Sequence, residues 1–200
     1  MITSLTAERL ACARGDRKLF ENLSFRVKAG QALAVEGANG SGKTSLLRLI
    51  AGFLSPAAGR LIVQDANGDS DDAEERGKKI GWLGHHDGLK PQLTVQEQLT
   101  FWAALYRGIA NAEVLAQVGL ARQADLPCRY LSAGQKRRLA LARLQVSGRP
   151  LWLLDEPFAA LDTSGQALVA QLMALHCGQG GIIIAATHDP LGLGNESLKL

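Results

Sequence analysis

The sequence predicts an α/β fold with a mainly parallel β-sheet at its core, and three observations support this prediction. Four short, largely apolar runs each end in a polar or glycine-rich turn, as buried parallel strands do. Helical patterns lie between these runs, so strands and helices alternate along most of the chain. The opening segment instead alternates apolar and polar residues, which predicts antiparallel strands. The four runs are QALAVEG (31–37), KKIGWLG (78–84), LWLLDEP (151–157) and GIIIAATHD (181–189).

The opening segment contributes the predicted antiparallel strands. LTAERLACARG and RKLFENLSFRVKAG alternate like strands with one exposed face. GRLIVQDANGDSDDAEERGKK adds a further strand and then an acidic, polar loop. The loop carboxylates lack the spacing of a calcium-binding loop, so we expect a solvated loop rather than a cation site. They are Asp69, Asp71, Asp72, Glu74 and Glu75.

Three segments carry the helical patterns. They are KTSLLRLIAGF after the first run, a long, mostly helical region from about Val95 to Ser147, and GQALVAQLMALH before the last run. A length of 200 residues suits one sizeable domain rather than two. We therefore expect a single domain over residues 1–200, with a helical subdomain at about 88–148.

Composition excludes several classes of protein. Three widely spaced cysteines form no CxxC pair, so neither a disulfide framework nor a zinc site is indicated, and a reducing, cytosolic setting fits best. The net charge of +3 does not by itself call for a nucleic acid partner. The N-terminus does not resemble a secretory signal, and the apolar runs fall short of the roughly 20 residues that span a bilayer.

Polar side chains follow the four apolar runs, and these positions form one candidate site. In open α/β sheets, ligands bind at the carboxyl ends of the strands. Residues that come directly after the four runs are therefore expected to converge on a common ligand.

The first of these strand ends is a phosphate-binding loop. GANGSGKT fits the pattern G-x-x-x-x-G-K-[ST], between a predicted strand and a predicted helix. Its glycines let backbone N–H groups turn toward an anion, and the helix N-terminus adds partial positive charge. Lys43 is expected to reach the β- and γ-phosphates of a nucleotide, and Thr44 to place its hydroxyl on Mg²⁺. The loop comprises Gly37, Ala38, Asn39, Gly40, Ser41, Gly42, Lys43 and Thr44.

Two further strand ends supply candidate catalytic groups. Asp155 ends a buried strand, where a carboxylate suits the coordination shell of Mg²⁺, through a water molecule. Glu156 follows it and can polarise an attacking water. His188, at the end of the last strand, can hydrogen-bond a γ-phosphate oxygen.

A capped helix forms a second candidate site. Ser132 and Gln135 in YLSAGQKRRLALARL match the capping box S-x-x-Q. The small residues Ala133 and Gly134 would let a phosphate approach the helix N-terminus closely.

Five motifs together resemble the ATP-binding subunits of ABC transporters. GANGSGKT, LSAGQ, LLDEP, AALD and ATHD occur in the order of that family, over essentially the whole chain. The resemblance implies a P-loop NTPase fold of the ABC type, with ATP and Mg²⁺ as ligands and Glu156 as the catalytic glutamate. It also implies a head-to-tail homodimer, in which Ser132, Gly134 and Gln135 contact ATP bound to the partner. Asp162 corresponds to the loop aspartate that crosses the dimer interface.

The chain departs from the family pattern at three points. Ala133 replaces one glycine of the family signature LSGGQ. No aromatic residue is available to stack on adenine, and the position falls at Arg14 or its neighbours, where a guanidinium plane could stack instead. The strand-end glutamine that touches Mg²⁺ and the attacking water falls at His85 or His86, and His86 is the better candidate. Because imidazole suits Mg²⁺ poorly and repels it when protonated, ATPase activity is expected to decline in mild acid.

LGHHDGLKPQLTVQEQL is similar to one subfamily, the haem-exporter ATPases of bacterial cytochrome c maturation. That similarity implies a peripheral subunit on the cytoplasmic face of the bacterial inner membrane, bound to integral membrane transporter subunits. No nucleic acid partner is expected. The alternatives are the ATP-binding subunit of another ABC transporter, for a lipid, a metal or another substrate, and a soluble ABC ATPase acting on nucleic acid or the ribosome. Candidates for the docking surface are Leu89, Pro91, Leu93, Phe101, Trp102 and Tyr106.

Overall fold

A five-stranded parallel sheet forms the centre of the computed structural model, which describes residues 2–15, 17–108, 112–193 and 196–200. Its strand order is β6-β7-β8-β3-β9, and every neighbouring pair is parallel. The parallel α/β core predicted from the four apolar runs is therefore confirmed. The strands are β3 (Ala32–Glu36), β6 (Ile80–Leu83), β7 (Leu151–Asp155), β8 (Ile182–Ala186) and β9 (Glu196–Lys199).

The fifth strand, β9, has no counterpart in the sequence prediction. It pairs with β3 along the edge of the sheet, and its sequence ESLK is mostly exposed. An edge strand of this kind buries little apolar surface, so it lacks the apolar run that marks the other four strands.

A four-stranded antiparallel sheet, in the order β2-β1-β4-β5, packs beside the parallel one. The antiparallel segment predicted at the start of the chain is therefore confirmed. β1 lies between β2 and β4, and β-bulges interrupt its register with both. The strands are β1 (Ile2–Arg14), β2 (Arg17–Lys28), β4 (Ala58–Asp65) and β5 (Gly68–Ser70).

The prediction that the acidic stretch forms a polar loop is wrong in part. β5 pairs with β4, and a short helix, α2 (Ala73–Gly77), follows. Asp72 caps this helix, because its Oδ1 accepts a hydrogen bond from the backbone N–H of Glu75 at 2.8 Å. Lys78 forms ion pairs with Glu74 and Glu75. These carboxylates therefore cap and pair locally.

Both faces of the parallel sheet are buried, as its apolar strands require. Alternate residues of each strand point to opposite faces: Ile183 packs toward one cluster of apolar side chains, and Ile182 and Ile184 pack toward the other. The first face is covered by α3, α5 and α6, and the second by α1 and the antiparallel sheet. The helices are α1 (Lys43–Ile50), α3 (Val95–Tyr106), α4 (Ala112–Gln117), α5 (Ala133–Ser147) and α6 (Thr163–Gly178).

Helix α3 separates the aromatic residues considered for docking. Trp102 is only 3% exposed and belongs to the core, so its assignment to a docking surface is wrong. Phe101 and Leu105 of the same helix are exposed. Among the described residues, no helix has the length and apolar character that crossing a membrane requires.

Candidate active site

A cavity of about 650 Å³ opens at the carboxyl edge of the parallel sheet. We call it the strand-end cavity, and residues that follow β3, β6 and β7 line it. Its principal polar and aromatic lining residues are Arg14, Arg17, Asn39, Lys43, Thr44, Arg48, Trp82, His85, His86, Asp155 and Glu156.

The glycine-rich loop after β3 has the backbone that its sequence demands. Gly37, Gly40 and Gly42 all have positive φ, a region that other residues rarely adopt. A Cβ added at Gly37 would lie 2.6 Å from Ser41 Oγ and 2.8 Å from the carbonyl oxygen of Leu200. Gly42 precedes α1 and offers no side-chain cap, so the first N–H groups of this helix have no side-chain oxygen from their cap residue.

Lys43 lies at the centre of this loop and is 8% exposed. Its Nζ donates to the carbonyl oxygens of Gly37 at 2.6 Å and Ala38 at 3.3 Å, and it lies 3.2 Å from His188 Nε2. Within the described part of the chain, no carboxylate forms an ion pair with it. A buried ammonium that only carbonyls and an imidazole surround suits an anionic ligand such as a phosphate.

Thr44 and Asp155 face each other across the two central loops. Thr44 Oγ1 donates to Asp155 Oδ2 at 3.0 Å, and Asp155 is 7% exposed. A hydroxyl and a carboxylate at this separation supply the oxygen ligands that Mg²⁺ prefers. The donor set therefore fits Mg²⁺.

Glu156 and His188 lie close to each other, beside the glycine-rich loop. The Glu156 backbone has φ +50°, and its N–H donates to the carbonyl oxygen of Ala186 at 2.8 Å. His188 Nε2 lies 3.7 Å from Glu156 Oε1 and 3.3 Å from Asn39 Oδ1. The His188 imidazole thus lies between the glycine-rich loop and the loop after β7.

Both His85 and His86 line the strand-end cavity and are exposed. Their ring centroids are 5.6 Å apart with the planes at 68°, an edge-to-face arrangement. Arg14 also lines the cavity, beside Arg17. Sequence reasoning missed Arg17, although a short hairpin places it opposite Arg14 in the β1–β2 register.

A separate cavity of about 340 Å³ lies at the start of α5, and we call it the helix-start cavity. The predicted capping box is present: Ser132 Oγ accepts from the N–H of Gln135 at 3.2 Å, and Gln135 Oε1 accepts from the N–H of Ser132 at 2.9 Å. A Cβ on Gly134 would lie 2.9 Å from the carbonyl oxygen of Ala160, so glycine permits this close contact. The lining residues are Ser132, Ala133, Gly134, Gln135, Arg138, Ala160, Leu161 and Asp162.

Asp162 closes one side of the helix-start cavity and caps α6. Its Oδ1 accepts from the N–H of Gly165 at 2.8 Å and from Ser164 Oγ at 3.0 Å. These hydrogen bonds lower the pKa of the Asp162 carboxyl. The two cavities share no lining residue, so the signature residues and the glycine-rich loop line separate cavities of the chain.

Comparisons with known proteins agree with this geometry. The profile of the ABC transporter family matches residues 20–159. The chain is 48% identical over 198 residues to the cytochrome c biogenesis ATP-binding export protein CcmA of Rhodopseudomonas palustris (strain HaA2), covering 98% of this chain and 97% of that protein. It is 49% identical over 199 residues to the CcmA protein of Bradyrhizobium diazoefficiens, with the same coverage.

Solved structures share the fold. An ABC transporter ATP-binding protein from Pyrococcus furiosus superimposes with a TM-score of 0.85 over 99% of this chain and 98% of its own, at 23% identity. A dimeric, post-hydrolysis ATP-binding cassette bound to ADP and Pi gives a TM-score of 0.76 at 27% identity, over 92% of this chain and 88% of its own. With these matches to profile, sequence and fold, the chain belongs to the ABC transporter family and groups within it with the CcmA proteins.

Proposed function

We propose that this chain is the ATP-hydrolysing subunit of a bacterial ABC transporter complex that serves cytochrome c biogenesis, and that the complex exports haem. The convergence of Lys43, Thr44, Asp155, Glu156 and His188 on adjacent strand ends is the observation that carries the ATPase assignment. The relatives named CcmA support the role in cytochrome c biogenesis.

Each of these residues has a separate role in ATP hydrolysis. Lys43 and the N–H groups at the start of α1 bind the phosphates, because they present positive charge and no carboxylate of the described residues forms an ion pair with Lys43. Thr44 and Asp155 would hold Mg²⁺, and the ion would supply positive charge against the phosphate oxygens. Glu156 accepts the proton of the attacking water. His188 donates a hydrogen bond to the γ-phosphate, for which its position 3.2 Å from Lys43 Nζ is suitable.

The remaining ligand contacts come from Arg14, at the adenine end of the cavity, and from a second copy of the chain. The helix-start cavity lies apart from the strand-end cavity, so Ser132, Gly134 and Gln135 complete the nucleotide site of a partner. Asp162 lies beside them and faces the same interface. Residues 1–200 form one ATP-binding domain, with a helical subdomain at about 88–148.

The complex includes integral membrane subunits, and this chain binds them from the cytoplasmic face of the inner membrane. The exposed side chains of Phe101 and Leu105 on α3 are available for such contacts. No nucleic acid partner is proposed.

Complementation tests this function. A bacterium that lacks its own ATPase of cytochrome c maturation is supplied with this chain and the membrane subunits of haem export, and holocytochrome c is quantified by haem staining. We expect maturation with the unmodified chain and with Lys78→Ala, a matched control on an exposed lysine whose ion pairs are local. Lys43→Ala should abolish maturation. A normal cytochrome c yield with Lys43→Ala would contradict the proposed role.

A further inference from the structure

Arg137 lies in the second turn of α5 and is 4% exposed, although it carries a full charge. Its Nη1 donates to the carbonyl oxygen of Gly84 at 2.7 Å and to Asp87 Oδ1 at 3.2 Å. Its Nη2 donates to the carbonyl oxygen of Glu156 at 2.7 Å and to that of Asp155. One guanidinium therefore joins α5 to the ends of both β6 and β7.

The planar fork of arginine suits this arrangement better than any other cation. It presents several N–H donors in fixed directions, whereas the lysine ammonium is a compact charge on a flexible chain. Removing the guanidinium would leave buried carbonyl oxygens without their donor, which is costly. The two segments that it fixes are those that carry the candidate catalytic groups His86 and Glu156.

The backbone of Glu156 depends on such external contacts. A non-glycine residue with φ +50° is in the left-handed region, which persists only where surrounding structure holds it. Two hydrogen bonds hold this residue: its N–H donates to Ala186, and its carbonyl oxygen accepts from Arg137. The second bond fixes the peptide plane that follows Glu156, and with it the direction in which the carboxylate leaves the backbone.

Helix α5 connects this contact to the helix-start cavity. Ser132 caps the helix and Arg137 follows five residues later, so about 7 to 8 Å of rigid helix separate them. We propose that Arg137 is a positioning residue that transmits contact at the start of α5 to the Glu156 of the same chain. The inference rests on the proposed function, in which the start of α5 meets the partner's ATP. Binding of one nucleotide at Ser132 then sets the geometry of hydrolysis at the other.

Two other arginines, Arg143 and Arg76, differ from Arg137 in the segments to which they donate hydrogen bonds. Arg143, on the same helix, donates to the carbonyl oxygens of Trp82 at 2.8 Å and Asp87 at 3.4 Å, so its hydrogen bonds reach the β6 end and not the β7 end. Arg76 is 5% exposed and donates to the carbonyl oxygens of Ile50 at 2.7 Å and Asp71 at 3.3 Å. Arg76 is thus a buried arginine of similar chemistry, and neither of these acceptor residues lines the strand-end cavity or the helix-start cavity.

Steady-state kinetics of the assembled transporter test the proposal. Arg137→Lys and Arg137→Met are compared with Arg76→Met, and kcat, the Hill coefficient for ATP and the Kd of a fluorescent ATP analogue are measured at one temperature below every unfolding midpoint. For both Arg137 variants we expect kcat to fall by about 10-fold to 100-fold, because a small displacement of a catalytic group has effects of this size. The Hill coefficient should approach 1, with Kd within about two-fold. Arg76→Met should lower the unfolding temperature and leave kcat and the Hill coefficient within about two-fold.

If Arg137→Met does not fold, Arg137→Lys alone tests the positioning role of Arg137. An Arg137→Lys protein with unchanged kcat and Hill coefficient would overturn the proposal. The proposal would also be overturned if Arg76→Met lost as much kcat as the Arg137 variants for an equal fall in unfolding temperature. The role of Arg137 would then be structural. Failure of the proposed function has a different signature: the unmodified transporter would show no ATPase activity that Lys43→Ala removes.

Discussion

The strand-end cavity and the helix-start cavity differ in how their polar groups are satisfied. In the strand-end cavity, α1 begins without a side-chain cap, and no carboxylate among the described residues pairs with the buried Lys43. In the helix-start cavity, a capping box closes the N-terminus of α5 and Asp162 is committed to α6. The first cavity has unmatched positive charge for an anion, whereas the second is already balanced within the chain. This difference supports the proposal that the first cavity holds a nucleotide and that the second adds contacts to one that another copy brings.

The largest expected effect is in the strand-end cavity. Glu156→Gln keeps the size of the side chain and removes the group that accepts the proton of water. We expect kcat to fall by about 100-fold or more, with ATP binding retained. Turnover by phosphate release and binding of a fluorescent ATP analogue check this. A kcat within two-fold of the unmodified transporter would assign the proton to another group.

A smaller effect is expected at the helix-start cavity, and two variants of Ser132 isolate it. Aspartate and asparagine are both good caps, so Ser132→Asp and Ser132→Asn preserve the start of α5. Only Ser132→Asp brings a negative charge toward the expected phosphate of a partner. We expect about a 10-fold to 100-fold loss of ATPase activity for Ser132→Asp and a change below about three-fold for Ser132→Asn. Equal activities would show that no anion meets this helix.

A modest effect on turnover is expected at His86, in the strand-end cavity. Glutamine offers Mg²⁺ a carbonyl oxygen, whereas imidazole is a poor ligand for so hard an ion. His86→Gln should therefore lower the Mg²⁺ concentration that half-saturates ATPase activity by a few-fold, and His85→Gln is the matched control because it lines the same cavity. An unchanged Mg²⁺ dependence in His86→Gln would refute the assignment of His86.

Stability in acid should depend on a different histidine, away from both cavities. His176 stacks on Trp152 with ring centroids 3.9 Å apart, and burial lowers the pKa of His176 to about 4. Below about pH 6.5 the unfolded chain takes up a proton that the folded chain does not, so the free energy of unfolding falls as pH falls. We expect a loss of roughly 2 kcal/mol by about pH 4, which His176→Phe should reduce. Urea unfolding at several pH values checks this, and a parallel fall in both proteins would contradict it.

Sequence reasoning recovered the parts of the molecule that local chemistry specifies. Buried parallel strands must be apolar throughout, so four of the five strands were visible as short runs. The glycine-rich loop, the capping box and the strand-end carboxylates were predicted from the sequence because their chemistry needs certain residue types at fixed spacing. Asp72 is a residue type that commonly caps helices, and it begins a helix where only a loop was predicted. In α3 the buried positions Val95, Leu99 and Trp102 follow helical spacing, which places Phe101 outside the core.

The contacts that sequence reasoning missed depend on the tertiary fold. Arg137 stands in the polar run GQKRR, which resembles an exposed helical face, yet its partners are the Asp87 carboxylate and backbone carbonyl groups up to 53 residues away. Backbone acceptors leave no trace in the residue type, so no local pattern marks them. The same holds for Arg17 and Arg48, which line the strand-end cavity only because the sheets pack as they do.

The central claim is that each nucleotide site combines the strand-end cavity of one chain with the helix-start cavity of its partner. Complementation between two inactive variants tests it most directly: Lys43→Ala disables only the first cavity, and Ser132→Asp only the second. Mixed in one transporter preparation, they leave one complete site in each heterodimer. The measured quantity is ATP-dependent association of the two chains, because turnover at one site also depends on the other site through Arg137. We predict ATP-dependent dimers from the mixture and few or none from either variant alone. Full ATP-dependent association of Ser132→Asp alone, or a mixture that associates no more than the two variants separately, would contradict the claim.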